Sequence, residues 1–112
     1  MTLSIIESPY AGHPAAIEIN IEYARACVRD SLIRGESPIA SHLLYTQPGI
    51  LDDTIPEERQ HGIDAGLAWR KVAEKTVVYT DLGITPGMEY GIEAAFNAGL
   101  EIEYRTLEGW NR

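Results

Sequence analysis

The sequence has one cysteine and little positive charge, and each shortage excludes a class of protein. Cys27 has no second cysteine for an internal disulfide and falls at an apolar position of a predicted helix, so we interpret it as a buried core thiol. Nine Lys and Arg residues stand against 17 Asp and Glu residues, which gives a net charge of −8. Because that charge repels a phosphate backbone, nucleic acid is not an expected partner.

Long apolar runs are also missing. No stretch approaches the roughly 20 apolar residues that a membrane-spanning helix needs, and the start, MTLSIIESPYAG, lacks the basic and apolar regions of a signal peptide. We therefore expect no membrane partner and a cytoplasmic location.

The three histidines have no metal-ligand spacing with one another or with the cysteine, so the sequence predicts neither a metal site nor a bound cofactor.

Short apolar runs alternate with helical patterns along the chain. The predicted strands are Leu3–Glu7, Pro38–Ala40, Thr76–Thr80 and Leu100–Tyr104. The predicted helices run from an N-cap at Asn20 to Gly35, from Pro56 to about Glu74, and from a Thr85 cap to Gly99, with Phe96 facing the core. This order predicts a three-layer Rossmann-like (flavodoxin-like) α/β fold. It has a parallel sheet of about four strands with helices on both faces, in a single domain of residues 1–112.

Unusual polar residues gather in the segments that follow the predicted strands. Segments 7–12, 41–53 and 81–89 all leave the carboxyl edge of the sheet, which is where ligands of parallel sheets bind. An acid in segment 81–89, Glu89, falls in the first turn of the last predicted helix. The sequence therefore predicts a pocket formed by these three segments.

The residues Gly87-Met88-Glu89-Tyr90-Gly91 resemble the glycine-methionine-glutamate-x-glycine signature of nucleoside 2-deoxyribosyltransferases. The whole chain also resembles an uncharacterised, often phage-encoded group of that superfamily. The shared stretches are SPYAG, N-x-x-YAR, PIASHLLY, GI-x-AGLAW and VVYTDLGI-x-PGM. The resemblance implies a nucleoside 2-deoxyribosyltransferase-like domain that acts on a nucleoside or nucleotide.

The resemblance also implies roles for individual residues. Glu89 is the expected nucleophile at the anomeric carbon, Tyr10 orients it, and Asp81 contacts the base or the sugar, although at a different spacing from the family's second acid. A carboxylate suits this chemistry because an N-glycosidic bond breaks through an oxocarbenium-like state. The expected ligand-binding residues are Ser8, Pro9, Gly12, Asn20, His42, Gly83, Gly87 and Met88.

Simpler explanations exist for the same residues. Glu89 can favour the positive end of a helix, Asp81 can cap a turn, and Tyr10 and His42 can be packed loop residues. Two functions therefore stay open: an N-glycosidase (hydrolase) or 2-deoxyribosyltransferase, and a non-catalytic protein that senses or sequesters a nucleotide. Since related transferases complete their pockets with a neighbouring subunit, the resemblance also implies a homo-oligomer.

Overall fold

A computed structural model describes residues 1–110. Its strands are β1 (Thr2–Glu7), β2 (Glu36–Ile39), β3 (Lys75–Tyr79) and β4 (Glu101–Arg105). Its helices are α1 (Pro14–Ile33), α2 (Ser41–Leu44), α3 (Pro56–Ala68), which a 3-10 turn at Trp69–Lys71 follows, and α4 (Pro86–Asn97). The predicted α/β fold with a four-stranded parallel sheet is confirmed.

The sheet has the strand order β2-β1-β3-β4, and every neighbouring pair is parallel. The connection from β1 to β2 moves toward one edge of the sheet, whereas the connection from β3 to β4 moves toward the other. Because such crossovers are right-handed, the two connecting helices lie on opposite faces and a crevice opens between the ends of β1 and β3.

Successive side chains along the central strands point to opposite faces of the sheet, and helices cover both faces. Ile6 and Val77 point toward α1, where they pack with the buried Tyr23 and Cys27. Glu7, one residue further along β1, points to the other face and lies against α4. The core therefore lies between α1 and the sheet, and the opposite face carries α4 and the site described below.

The first helix begins earlier than the sequence pattern predicts. His13 is its N-cap, with its side chain accepting a hydrogen bond from the amide of Ala16, and Pro14 occupies the first helical position. The prediction of Asn20 as the N-cap is therefore wrong. Gly35 does end the helix region, with a φ of +83° that suits glycine.

Other boundaries also differ from the prediction, those of β1, β3 and β4 by one residue. The second strand begins at Glu36, two residues early, and residues 41–44 form a short helix at the start of the predicted loop. Helix α3 ends at Ala68, before the predicted end near Glu74.

Phe96 is 74% exposed, so its predicted core position is wrong, whereas the predicted Thr85 cap of α4 is confirmed. No helix in residues 1–110 is both long and apolar enough to cross a membrane.

A buried ion-pair network ties the sheet together at the amino ends of β2 and β3. Glu36 accepts hydrogen bonds from Arg105 and Ser31 and pairs with Lys75 at 2.6 Å. Arg105 lowers the pKa of Glu36 to about 2, more than burial raises it. All the charges here have partners, so the network joins three strands without leaving an isolated buried ion.

We expect Glu36→Gln to lower the free energy of unfolding by on the order of 3 kcal/mol at neutral pH, because Arg105 and Lys75 lose a shared buried partner. Urea unfolding followed by circular dichroism measures this effect. Glu101→Gln, an exposed change in the same sheet, is the matched control and should have little effect.

The same pair of proteins tests the pH dependence. Since the folded pKa of Glu36 is depressed, its contribution is complete above the ordinary carboxyl pKa and is lost as the pH falls toward about 2. The stability gap between wild type and Glu36→Gln should therefore be constant near neutral pH and shrink below about pH 4.5. A gap unchanged in acid would contradict this assignment.

Candidate functional site

A cleft of about 730 Å³ opens at the carboxyl ends of β1 and β3. Its walls come from the end of β1, from α2 and α3, and from the first turns of α4. Its main polar and aromatic lining residues are Glu7, Ser8, Tyr10, His42, Tyr45, Arg70 and Tyr90. The three segments that the sequence singled out therefore meet here, at the position where parallel sheets bind ligands.

The polar floor of the cleft is the pair of Glu7 and Arg70. Arg70 Nη2 donates to Glu7 Oε2 at 2.7 Å, and both residues are about nine-tenths buried. Arg70 Nη1 donates to the carbonyl oxygen of Gly66, which fixes the guanidinium beneath α3. Burial raises the pKa of Glu7 to about 7, more than the nearby guanidinium lowers it.

Beside this pair, Ser8 Oγ and His42 Nε2 are hydrogen-bonded at 2.7 Å. Burial, together with the positive charge of Arg70, lowers the pKa of His42 to about 4. The imidazole is therefore neutral at physiological pH. Glycine at position 66 allows this arrangement, because a Cβ there would lie 2.5 Å from the Ser41 hydroxyl at the start of α2.

Aromatic rings line the outer part of the cleft. Tyr10, Tyr45 and Tyr90 come from three different segments of the chain. The Tyr10 carbonyl oxygen accepts a hydrogen bond from Asn20 Nδ2, and the Tyr45 hydroxyl accepts one from Trp69 Nε1, both at 2.9 Å. The first contact holds the backbone at Tyr10 and the second holds the ring of Tyr45. The three rings offer flat surfaces to a planar ligand.

Some of the predicted site residues line a cavity, and the others do not. Ser8, Tyr10, His42, Gly87 and Met88 all line the cleft. Gly12 lines an adjoining groove of about 670 Å³ that shares Tyr10 with it. The remaining predicted ligand contacts, Pro9, Asn20 and Gly83, lie outside both cavities.

Asp81 lies outside the cleft and holds other parts of the chain. It accepts a hydrogen bond from the Tyr23 hydroxyl at 2.6 Å and from the amide of Leu107 at 3.0 Å. Tyr23 in turn packs edge-on against Trp110, with ring centroids 4.9 Å apart. The carboxylate therefore anchors the segment after β4 to α1.

Glu89 is exposed on the first turn of α4 and is not among the residues that line the cleft. The helix turns about 100° per residue, so Glu89 points about 160° away from Gly91, which does line it. A single chain therefore does not bring Glu89 to Tyr10. Its assignment as a nucleophile stays a prediction.

The cleft residues that sequence reasoning missed include Glu7, Tyr45, Arg70 and Tyr90. A signal for Glu7 was present, since it is an ionisable residue that ends an Ile-rich strand beside Ser8. Arg70 carries no local signal because it reaches Glu7 across 63 residues of sequence. No three or more His, Cys, Asp or Glu side chains gather to hold a metal ion within residues 1–110.

We expect His42 to titrate near pH 4 in a proton NMR experiment, because charging the buried ring costs solvation. As its folded pKa lies below the ordinary value, protonation favours the unfolded chain, and the associated stability is lost as the pH falls. A midpoint for His42 above about pH 6 would contradict the buried, neutral imidazole.

Comparisons with known proteins show a shared fold and a family. No curated protein sequence matches the chain significantly. A solved structure of a 2-deoxyribosyltransferase from the psychrotolerant bacterium Bacillus psychrosaccharolyticus matches with a TM-score of 0.65 and 16% identity, covering 99% of this chain and 77% of that one. That likeness shows a shared fold. A family model described as a domain of unknown function (DUF7768) matches residues 2–105, and the chain therefore belongs to the DUF7768 family.

Proposed function

We propose that the cleft binds a nucleoside or nucleotide and that the protein cleaves or transfers at its N-glycosidic bond. The observation that carries the proposal is the composition of the cleft, with three tyrosine rings around a buried carboxyl, Glu7. Aromatic rings provide stacking surfaces for a nucleobase. A carboxylate stabilises the positive charge that develops on the sugar when the bond to the base breaks.

Size and fold support the same proposal. The volume of about 730 Å³ lies within the range of small-molecule sites. The fold is shared with a protein that is named as a 2-deoxyribosyltransferase. Glu89, the nucleophile expected from the resemblance, is exposed in the single chain. In the predicted homo-oligomer, which light scattering can detect, Glu89 would have to enter a cleft shared between subunits.

A second candidate function is nucleotide binding without turnover, as a sensor or a sequestering protein. It is favoured by the positions of the two acids, Asp81 and Glu89, to which the resemblance gives catalytic roles. Asp81 is engaged by Tyr23 and Leu107, and Glu89 lies outside the cleft, so neither is placed to act on a ligand there. This candidate predicts tight binding and an unchanged ligand.

We expect purine or pyrimidine nucleosides, or their 5′-monophosphates, to raise the thermal unfolding temperature, because a ligand bound to the folded state stabilises it. Chromatography of the same mixtures should reveal free base, or an exchanged base when a second nucleobase is added. Stabilisation without free base favours the binding protein. With neither effect from any compound, both candidate functions fail.

A tyrosine substitution tests where the base lies. Tyr10→Ala should weaken nucleoside binding by about 1–3 kcal/mol, because a stacking surface is removed. Isothermal titration calorimetry measures the change. Tyr104→Ala, on β4 and away from the cleft, is the matched control and should leave affinity unchanged. Equal affinities for the two variants would place the base elsewhere.

A further inference from the structure

Glu7 is the carboxylate that the fold places at the floor of the cleft. It is the last residue of β1, and its side chain leaves the sheet on the face that carries α4. Oxygen Oε2 is bound by Arg70, whereas Oε1 accepts no hydrogen bond from any group in residues 1–110. Arg70 therefore holds one oxygen of a carboxylate that lines the cleft, and the other oxygen has no hydrogen-bond partner in residues 1–110.

The absence of a side chain at Gly91 makes room for this carboxylate. A Cβ atom at position 91 would lie 2.6 Å from the Glu7 Cδ atom and 2.8 Å from Oε1, closer than such contacts occur. The carboxylate thus fills the space that a side chain on the inner face of α4 would take. Consequently β1 supplies the acid on this face of α4, while Glu89 lies on the far side of the helix.

Arg70 fixes the carboxylate in this position. It enters from the 3-10 turn after α3, is held by the Gly66 carbonyl oxygen at 2.8 Å, and donates to Glu7 at 2.7 Å. A buried Arg–carboxylate pair keeps one oxygen in a defined orientation. Arg70 is therefore a positioning residue for Glu7.

We infer that Glu7 is the carboxylate that reacts at the anomeric carbon of the bound nucleoside, with Gly91 and Arg70 holding it there. This inference rests on the proposed function. Oε1 forms a bond to C1′ as the bond from C1′ to the base nitrogen breaks, and the departing base keeps the electron pair and takes a proton from water. A second water then adds to C1′ and loses a proton while the bond to Oε1 breaks, which restores the carboxylate. The net reaction consumes one water and yields free base and sugar.

Covalent trapping tests this directly. A 2′-deoxy-2′-fluoro nucleoside slows the second step, so the sugar stays attached to the reacting carboxylate. Trypsin then separates the two candidates, because Glu7 lies in peptide 1–25 and Glu89 lies in peptide 76–105. We expect the added mass on Glu7, located by fragmentation of peptide 1–25. An adduct in peptide 76–105 overturns the inference and leaves the proposed function standing.

Rates of base release provide the second test. Glu7→Gln should reduce the rate by at least ~100-fold, whereas Glu93→Gln, an exposed change on α4, should have no effect. Full activity of Glu7→Gln with loss of activity in Glu89→Gln overturns the inference. A wild-type protein that neither binds nor releases base defeats the proposed function, and this inference with it.

Glu7→Gln leaves Arg70 buried without its charge partner, which destabilises the folded protein. Two further variants therefore test the position of the carboxylate without removing its charge. Glu7→Asp keeps the charge but withdraws the carboxylate, and Gly91→Ala displaces it without changing any charge. Both should retain the circular dichroism of the wild type and lose base release by a large factor. Folded variants with wild-type rates would show that the position of Glu7 does not matter, which overturns the inference.

Discussion

The handedness of parallel crossover connections is the constraint on which this structure depends. The chain leaves β1 toward one edge of the sheet and β3 toward the other, so α1 and α4 lie on opposite faces. The crevice between the ends of β1 and β3 follows from that geometry alone. Every candidate functional residue in the cleft is reached from one of these ends or from the helices beside them.

Two buried glutamates show how the surroundings give one residue type two roles. Glu36 is held by Arg105, Lys75 and Ser31, and its pKa falls because the ionised form is well satisfied. Among residues 1–110 Glu7 has Arg70 as its one charged partner, so burial dominates and its pKa rises. The first arrangement stabilises the sheet. The second places a carboxyl with a raised pKa in the lining of a cleft, which is where perturbed carboxyls are often functional.

The pattern of strands and helices was predictable because it depends on local periodicity, on Pro and Gly, and on caps. Thr85 and Pro86 fix the start of α4 from neighbouring residues alone. The start of helix α1 was predicted wrongly because its cap, His13, is an unusual cap residue, whereas the buried Asn20 is of a residue type that often caps helices. The exposure of Phe96 was also unpredictable, since apolar spacing does not reveal which face a partner element covers.

By itself the sequence determined the α/β class, the parallel sheet and the three segments that meet at its carboxyl edge, because these follow from hydrophobic periodicity and connection rules. Only the tertiary structure decided that Glu7 lines the cleft and that Glu89 does not. That choice depends on the rotation of α4, on the missing side chain at Gly91, and on Arg70, which arrives from a distant part of the chain. A one-residue step along a helix turns a side chain by about 100°, and no linear motif records the direction in which it then points.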